Sequence, residues 1–226
     1  MSPFSVMAAL NPVQAKAMQE ECIVVDENDK VVGRASKYDC HRKDKQGNLI
    51  LHRAFSVFLF NSKGELLLQK RSHDKATFPD CWTNSCCSHP LYEIEEELEE
   101  KNAIGVRLAA QRRLNQELGV PLNEINPDKM EYLTRIHYLG PGKNEWGEHE
   151  IDYILFLQKD LSVNPNKEEI SEIAYVSKDN LGNWMKEVKG PFTPWFEIIV
   201  KSKLPFWWNN LNSLHKCKDN SIHRFL

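Results

Sequence analysis

Two short segments concentrate the side chains able to move protons or hold a cation: Ser85-Cys86-Cys87-Ser88-His89-Pro90 and Trp146-Gly147-Glu148-His149-Glu150. In the first, a thiol near a cation can titrate towards neutral pH and act as base or nucleophile. Adjacent cysteines seldom form a strain-free disulfide, and one cysteine beside one histidine is too little for a structural zinc site. The competing reading is an inert buried cysteine, which spacing alone leaves open. In the second segment, Glu148 and Glu150 project from one face of an extended chain while His149 points away. That pairing suits cation binding or proton transfer. Two solvated charges at a strand start are the plainer alternative, against which Trp146-Gly147 weighs, because a bulky ring beside a permissive backbone is costly at an unoccupied edge.

His41 and His52 flank the polar stretch Lys43 to Asn48. A turn centred on Gln46-Gly47 would set them opposite each other across a hairpin, with Cβ atoms about 4.5 to 5.5 Å apart, close enough to share one metal. Strand histidines are also common polar surface residues. Further on, a wheel of about 100° per residue over 106–118 puts Val106, Ala109, Ala110, Leu114 and Leu118 on one apolar arc. Arg113 and Glu117 fall in the middle of it. Inward charges need partners, either each other at i,i+4 or a phosphate for Arg113 and a cation for Glu117. Lys37, Arg71 and Lys75 join Arg113 as a scattered basic set, solvated unless the fold converges them on a diphosphate. The acidic run from Glu93 to Glu100, with Leu91, Ile94 and Leu98 at helical spacing, reads as a solvated helix face.

The elements that must position these groups can be read from period and punctuation. Asn11-Pro12 opens a short helix to about Glu21. Cys22–Asp26 with Val31-Val32, and Ala54–Phe60 with Leu66–Leu68, read as two hairpins. A helix over 106–118 ends at Gly119. Tyr132–Tyr138 and Glu150–Leu157 alternate as strands, and 177–188 and 193–211 read as helices, the second opened by Thr193 and Pro194. The expected class is α/β (α+β), a mixed sheet with helices packed on it. The simplest division is an N-terminal extension over 1–20, flexible to about residue 10, followed by one domain over 21–226.

With 226 residues, 41% hydrophobic and 27% charged, the chain can bury a sizeable core. A net charge of -3 argues against nonspecific nucleic-acid binding. Six cysteines without a C-x-x-C pair fit a reducing compartment. Neither a secretory signal, an Arg-rich transit peptide nor a membrane span is expected. The expected location is the cytoplasm, with the peroxisome as the alternative, although the C-terminal His-Arg-Phe-Leu is not a clear peroxisomal address. A monomer is expected.

Taken in order, Lys37-x-x-x-His41, Leu51-His52-Arg53-Ala54-Phe55-Ser56, Gln69-Lys70-Arg71-Ser72, Phe78-Pro79, the 83–90 segment, Arg112-Arg113-x-x-x-Glu117-Leu118-Gly119, Trp146–Glu150 and Thr193-Pro194-Trp195 resemble the type I isopentenyl-diphosphate isomerases, a branch of the Nudix-fold proteins. The resemblance covers roughly 20–210. Aligned on Gly119, the ordinary Nudix box keeps Arg112, Leu114, Glu117 and Val120, but Leu98, Ile104, Arg113 and Gln116 stand where it needs glycine and acids. Without those carboxylates, hydrolysis by catalytic Mg²⁺ is not expected. The resemblance implies a Nudix-like sheet and the interconversion of isopentenyl and dimethylallyl diphosphates in isoprenoid biosynthesis. It implies a buried Zn²⁺, Mn²⁺ or Mg²⁺ on His41, His52, His89, Glu148 and Glu150, and a second Mg²⁺ bridging the diphosphate to Glu117. It implies diphosphate contacts from Lys37, Arg71, Lys75, Arg113 and the Ser88 backbone, and acid-base roles for Cys87 and for Glu150 with Tyr138. Trp195 would face the cation formed between the two proton transfers.

Overall fold

The computed structural model describes residues 11–142 and 144–226, so the flexibility expected of 1–10 lies outside it. Asn11 accepts from the Val13 and Gln14 amides and, with Pro12 behind it, starts α1 (Pro12–Ala17). The helix stops short of Glu21, which already belongs to strand β1 (Glu21–Val25). β2 (Val31–Ser36) pairs antiparallel with β1 as the expected hairpin. Ser36 then caps a five-residue helix, α2 (Lys37–His41), its hydroxyl accepting from the Asp39 amide.

β3 (His52–Phe60) is buried along its whole length. It turns through Asn61–Gly64 into β4 (Leu66–Arg71). The short strands β5 (Trp82–Thr83) and β6 (Cys86–Ser88) follow. Next come helix α3 (Ile104–Leu118) and the long strands β7 (Glu131–Pro141) and β8 (Gly147–Gln158). The order closes with β9 (Ile170–Val176), α4 (Leu181–Glu187), α5 (Pro194–Ser202), α6 (Leu204–Asn209) and β10 (Ile222–Phe225). The ten strands of the described residues join one mixed sheet whose main path runs β10-β7-β8-β3-β1-β2. β8 runs parallel along one edge of β3, from His52 opposite Glu150 to Phe60 opposite Gln158. β6 takes the other edge, with Ser56 opposite Cys87.

Period-two alternation divides the core between the faces of this sheet. Phe55, Val57 and Leu59 of β3 pack with Val106, Ala110 and Leu114 of α3. Phe58 and Phe60 face Phe196, Ile199 and Trp207 of α5 and α6. The expected mixed sheet with helices on it is what the chain forms.

Several boundaries differ from expectation. The helix read over 193–211 breaks at Lys203, because Pro205 in the first turn of α6 has no amide to continue it. The stretch 177–188 begins as a 3-10 turn at Lys178–Asn180 before α4. The acidic run is solvated at Glu93, Glu95, Glu96, Glu99 and Glu100 as expected, but it is not a regular helix face. It holds a 3-10 turn at Glu95–Leu98, and Glu97 is buried, taking hydrogen bonds from Arg112 at 2.6 and 2.9 Å and from the Leu91 amide at 2.8 Å. β10, which adds in parallel to β7, carried no signal in its short mixed sequence.

Candidate active site

Four elements deliver five ligand-type side chains to one point. His41 ends α2, His52 opens β3, His89 follows β6, and Glu148 and Glu150 share one face of β8. All five are buried, and their ligand atoms lie within 4.8 Å of one another. His41 and His52 do meet, with ring centroids 4.8 Å apart. The expected hairpin register is not the cause, because His41 lies on a helix. His149 points away, stacked on His137 with Nε2 atoms 3.0 Å apart.

Backbone carbonyls fix the histidine rings. Nδ1 of His41 meets the Lys37 carbonyl at 2.7 Å, and Nδ1 of His52 meets the Ile50 carbonyl at 2.9 Å. With Nδ1 held there, both rings aim Nε2 at the centre, which is how protein hydrogen bonds orient a histidine for a metal. His52 Nε2, His89 Nδ1 and Glu148 Oε2 have no hydrogen-bond partner, although Glu148 Oε2 stands 2.7 Å from His41 Nε2. Buried polar atoms left bare in this way fit a divalent cation that would satisfy several at once, and the mixed N and O donors suit Zn²⁺, Mn²⁺ or Mg²⁺ alike.

Burial and charge move the groups of the cluster in different directions. Burial, then the positive charges of Lys37, His52 and His41, hold His89 well below the ordinary imidazole value. Burial would also lower His52, but Glu150 outweighs it and lifts that ring to about 9. Burial favours a protonated Glu150, yet His52, His41 and the Tyr138 hydroxyl at 2.5 Å keep it below the usual carboxylate range. Tyr138, pushed well up by burial and by Glu150, stays a phenol and donates to that carboxylate.

Beside this centre lies a cavity of about 40 Å³ lined by Cys87, Ser88, Tyr138, Glu150 and Trp195 and by the cations Lys37, Arg71 and Lys75. Cys87 keeps part of its surface open to it, while Cys86, one residue back, is fully buried in the core on the α3 side. The thiol is not poised near neutrality as the sequence suggested. Its enclosure pushes it up to about 12, Arg71 opposing and the nearby carboxylates adding to the rise. Asn84 aims Trp195, accepting from its indole at 3.1 Å while donating to the Val57 and Cys86 carbonyls. Arg71 stacks 5.7 Å over that indole and donates from Nε and Nη2 to the Phe78 and Thr77 carbonyls.

Arg113 and Glu117 do not line the cavity. They form the i,i+4 ion pair that the sequence left open, and Glu117 also accepts from Gln69 at 3.2 Å. Glu169 joins them to the site: its carboxylate lies 2.6 Å from Lys75 and 3.7 Å from Arg113. Burial would raise it, but those two cations bring it down to about 2. Sequence reasoning missed Glu169, which stands in the ordinary acidic stretch Lys167-Glu168-Glu169. It missed Asp152 as well, a fully buried acid that accepts from Ser56 at 2.8 Å and is held well above its ordinary value by burial and by Glu150. Continuing the 148, 150 alternation by one step would have found it. A larger cleft of about 990 Å³ elsewhere is lined in part by ion-paired residues, Asp29 taking Arg53 and Arg135 at 2.9 Å each.

Comparison with known proteins bears on this arrangement. A family model described as the NUDIX domain matches residues 50–196. The chain is 52% identical over 221 residues to isopentenyl-diphosphate Delta-isomerase 1 of Mesocricetus auratus, covering 95% of this chain and 96% of that protein. It is 48% identical over 223 residues to isopentenyl-diphosphate Delta-isomerase of Dictyostelium discoideum, covering 95% and 93%. A crystal structure from Deinococcus radiodurans shares the fold, with a TM-score of 0.55 at 19% identity over 81% of this chain and 99% of that one.

Proposed function

The chain belongs to the Nudix family and, within it, to the isopentenyl-diphosphate Delta-isomerases, and on that premise we propose how its cavity carries out the reaction. The enzyme interconverts isopentenyl diphosphate and dimethylallyl diphosphate. The terminal methylene gains a proton and the adjacent chain carbon loses one from the other face, which calls for an acid and a base on opposite sides of a thin hydrocarbon.

The observation that carries the assignment is the placement of two groups about β3. Cys87 comes from the strand on one edge of β3 and Glu150 from the strand on the other, and both line one cavity. The Glu150–Tyr138 pair supplies the proton at the methylene, the proton resting on the Tyr138 phenol that donates to the Glu150 carboxylate and Glu150 relaying it to the carbon. Cys87 as thiolate takes the proton from the chain carbon. A thiol that burial pushes to about 12 is a strong base once ionised, and Arg71 favours the ionised form. Trp195 borders the same cavity, and its ring face attracts the tertiary cation between the two steps, a contribution of up to about 2 kcal/mol when desolvated. Exclusion of water and fixed positioning supply the larger share.

His41, His52, His89, Glu148 and Glu150 would hold the divalent ion, Zn²⁺, Mn²⁺ or Mg²⁺, which when bound supplies fixed positive charge that orients Glu150 and tunes its acidity. Lys37, Arg71, Lys75 and Ser88 take the diphosphate. Arg113 stands behind Lys75 through Glu169, and Glu117, engaged by Arg113 and Gln69, would have to release them to meet a Mg²⁺ on the diphosphate. Product analysis after incubation with isopentenyl diphosphate tests the reading. Dimethylallyl diphosphate without phosphate release is expected; release of phosphate or pyrophosphate with no isomer would contradict it.

A further inference from the structure

Helix α1 lies outside the stretch matched by the family model, yet it brings Gln14 to the cavity that also holds Lys37, Arg71, Lys75 and Ser88. In so short a helix most side chains meet solvent, as Val13 does here, but Gln14 is only 3% exposed. A buried carboxamide is unfavourable unless its donors are used. Nε2 of Gln14 has no hydrogen-bond partner among the described residues. The position is set by the chain: the Tyr38 amide donates to the Met18 carbonyl at 2.9 Å and the Lys37 amide to the Glu20 carbonyl at 2.7 Å. The segment behind α1 is thereby tied to the start of α2, the helix that carries Lys37 and His41.

An idle amide donor needs an acceptor. The hydrocarbon part of the substrate has none, and a metal ion is not bound by an amide nitrogen. The diphosphate is rich in them. We infer that Gln14 is a substrate-binding residue whose Nε2 donates to a diphosphate oxygen. This rests on the diphosphate reading above.

The test compares the full chain with Gln14→Met, which keeps length and burial but removes the donor, and Gln14→Glu, which sets a negative charge against the diphosphate. Calorimetric titration with Mg²⁺-pyrophosphate is run beside steady-state isomerisation, on proteins with matching thermal midpoints. Gln14→Met should weaken pyrophosphate binding and raise KM by about tenfold, the effect of one hydrogen bond to a charged acceptor, exceeding any fall in kcat. Gln14→Glu should weaken both further. Unaltered pyrophosphate affinity and KM in either folded variant, or a fall in kcat alone, overturns the inference. Weakened pyrophosphate binding in the variants of a wild type that makes no dimethylallyl diphosphate would support Gln14 while removing the isomerase reading.

Discussion

Cys86 and Cys87 illustrate how much a single position decides. Neighbours on a strand face opposite ways, so one joins the core and the other meets the cavity. The sequence offered both as candidates, and only the resemblance to a known family chose between them. On the assignment above, Cys87→Ala and Glu150→Gln should each lower turnover by about 100-fold or more, the ordinary value of a positioned acid or base. Near-normal turnover in either would remove its role. His137 offers a separate test, of stability. Burial, then the charges of His149 and Arg224, lower it to about 4, against about 6.5 for a free imidazole. Between those values the unfolded chain binds a proton that the folded one refuses, so this group's contribution is full above about pH 6.5 and is lost as pH falls towards 4. The thermal midpoint of His137→Gln should therefore drop less than that of the wild type between pH 7 and pH 4.5. Equal drops would contradict the shift.

The elements were legible where punctuation is strong and obscure where tertiary contacts override it. Gly119 ended the central helix as expected, at a positive φ of 65°, and a Cβ there would lie 2.5 Å from the Asn164 carbonyl oxygen. Gly119→Ala should cost more than about 1 kcal/mol by urea unfolding, because strain and clash add. A neutral result would mean that the 164 segment yields freely. By contrast, nothing local marks His41 as the end of a short helix, and the nearness of His41 to His52 was foreseen from a hairpin that does not exist. Glu97 was read as solvent-facing because its neighbours are acidic. Only the fold shows that Arg112 reaches it. Signals that depend on one partner far along the chain, as for Glu169 with Lys75 and Arg113, leave no trace in spacing.

For the molecule as a whole, five ligand-type side chains drawn from four elements would make metal binding a statement about folding. An ion that binds only the assembled set stabilises the native chain by mass action. Adding Zn²⁺ or Mn²⁺ to metal-stripped protein should raise its thermal midpoint, and a strong chelator should lower it and abolish turnover. An unmoved midpoint in His52→Ala under the same additions would tie the effect to this cluster, whereas full activity after exhaustive metal removal would contradict the site. Among the described residues, no helix is long and apolar enough to cross a membrane. The measurement that reaches the centre of the account is isomerisation of isopentenyl diphosphate in deuterium oxide. Proton delivery and removal by separate groups predict one solvent deuteron in the methyl group newly formed in dimethylallyl diphosphate, lost along with turnover in Glu150→Gln. Dimethylallyl diphosphate formed without deuterium would mean that the hydrogen moves within the substrate, and the opposed roles of Glu150 and Cys87 would fall.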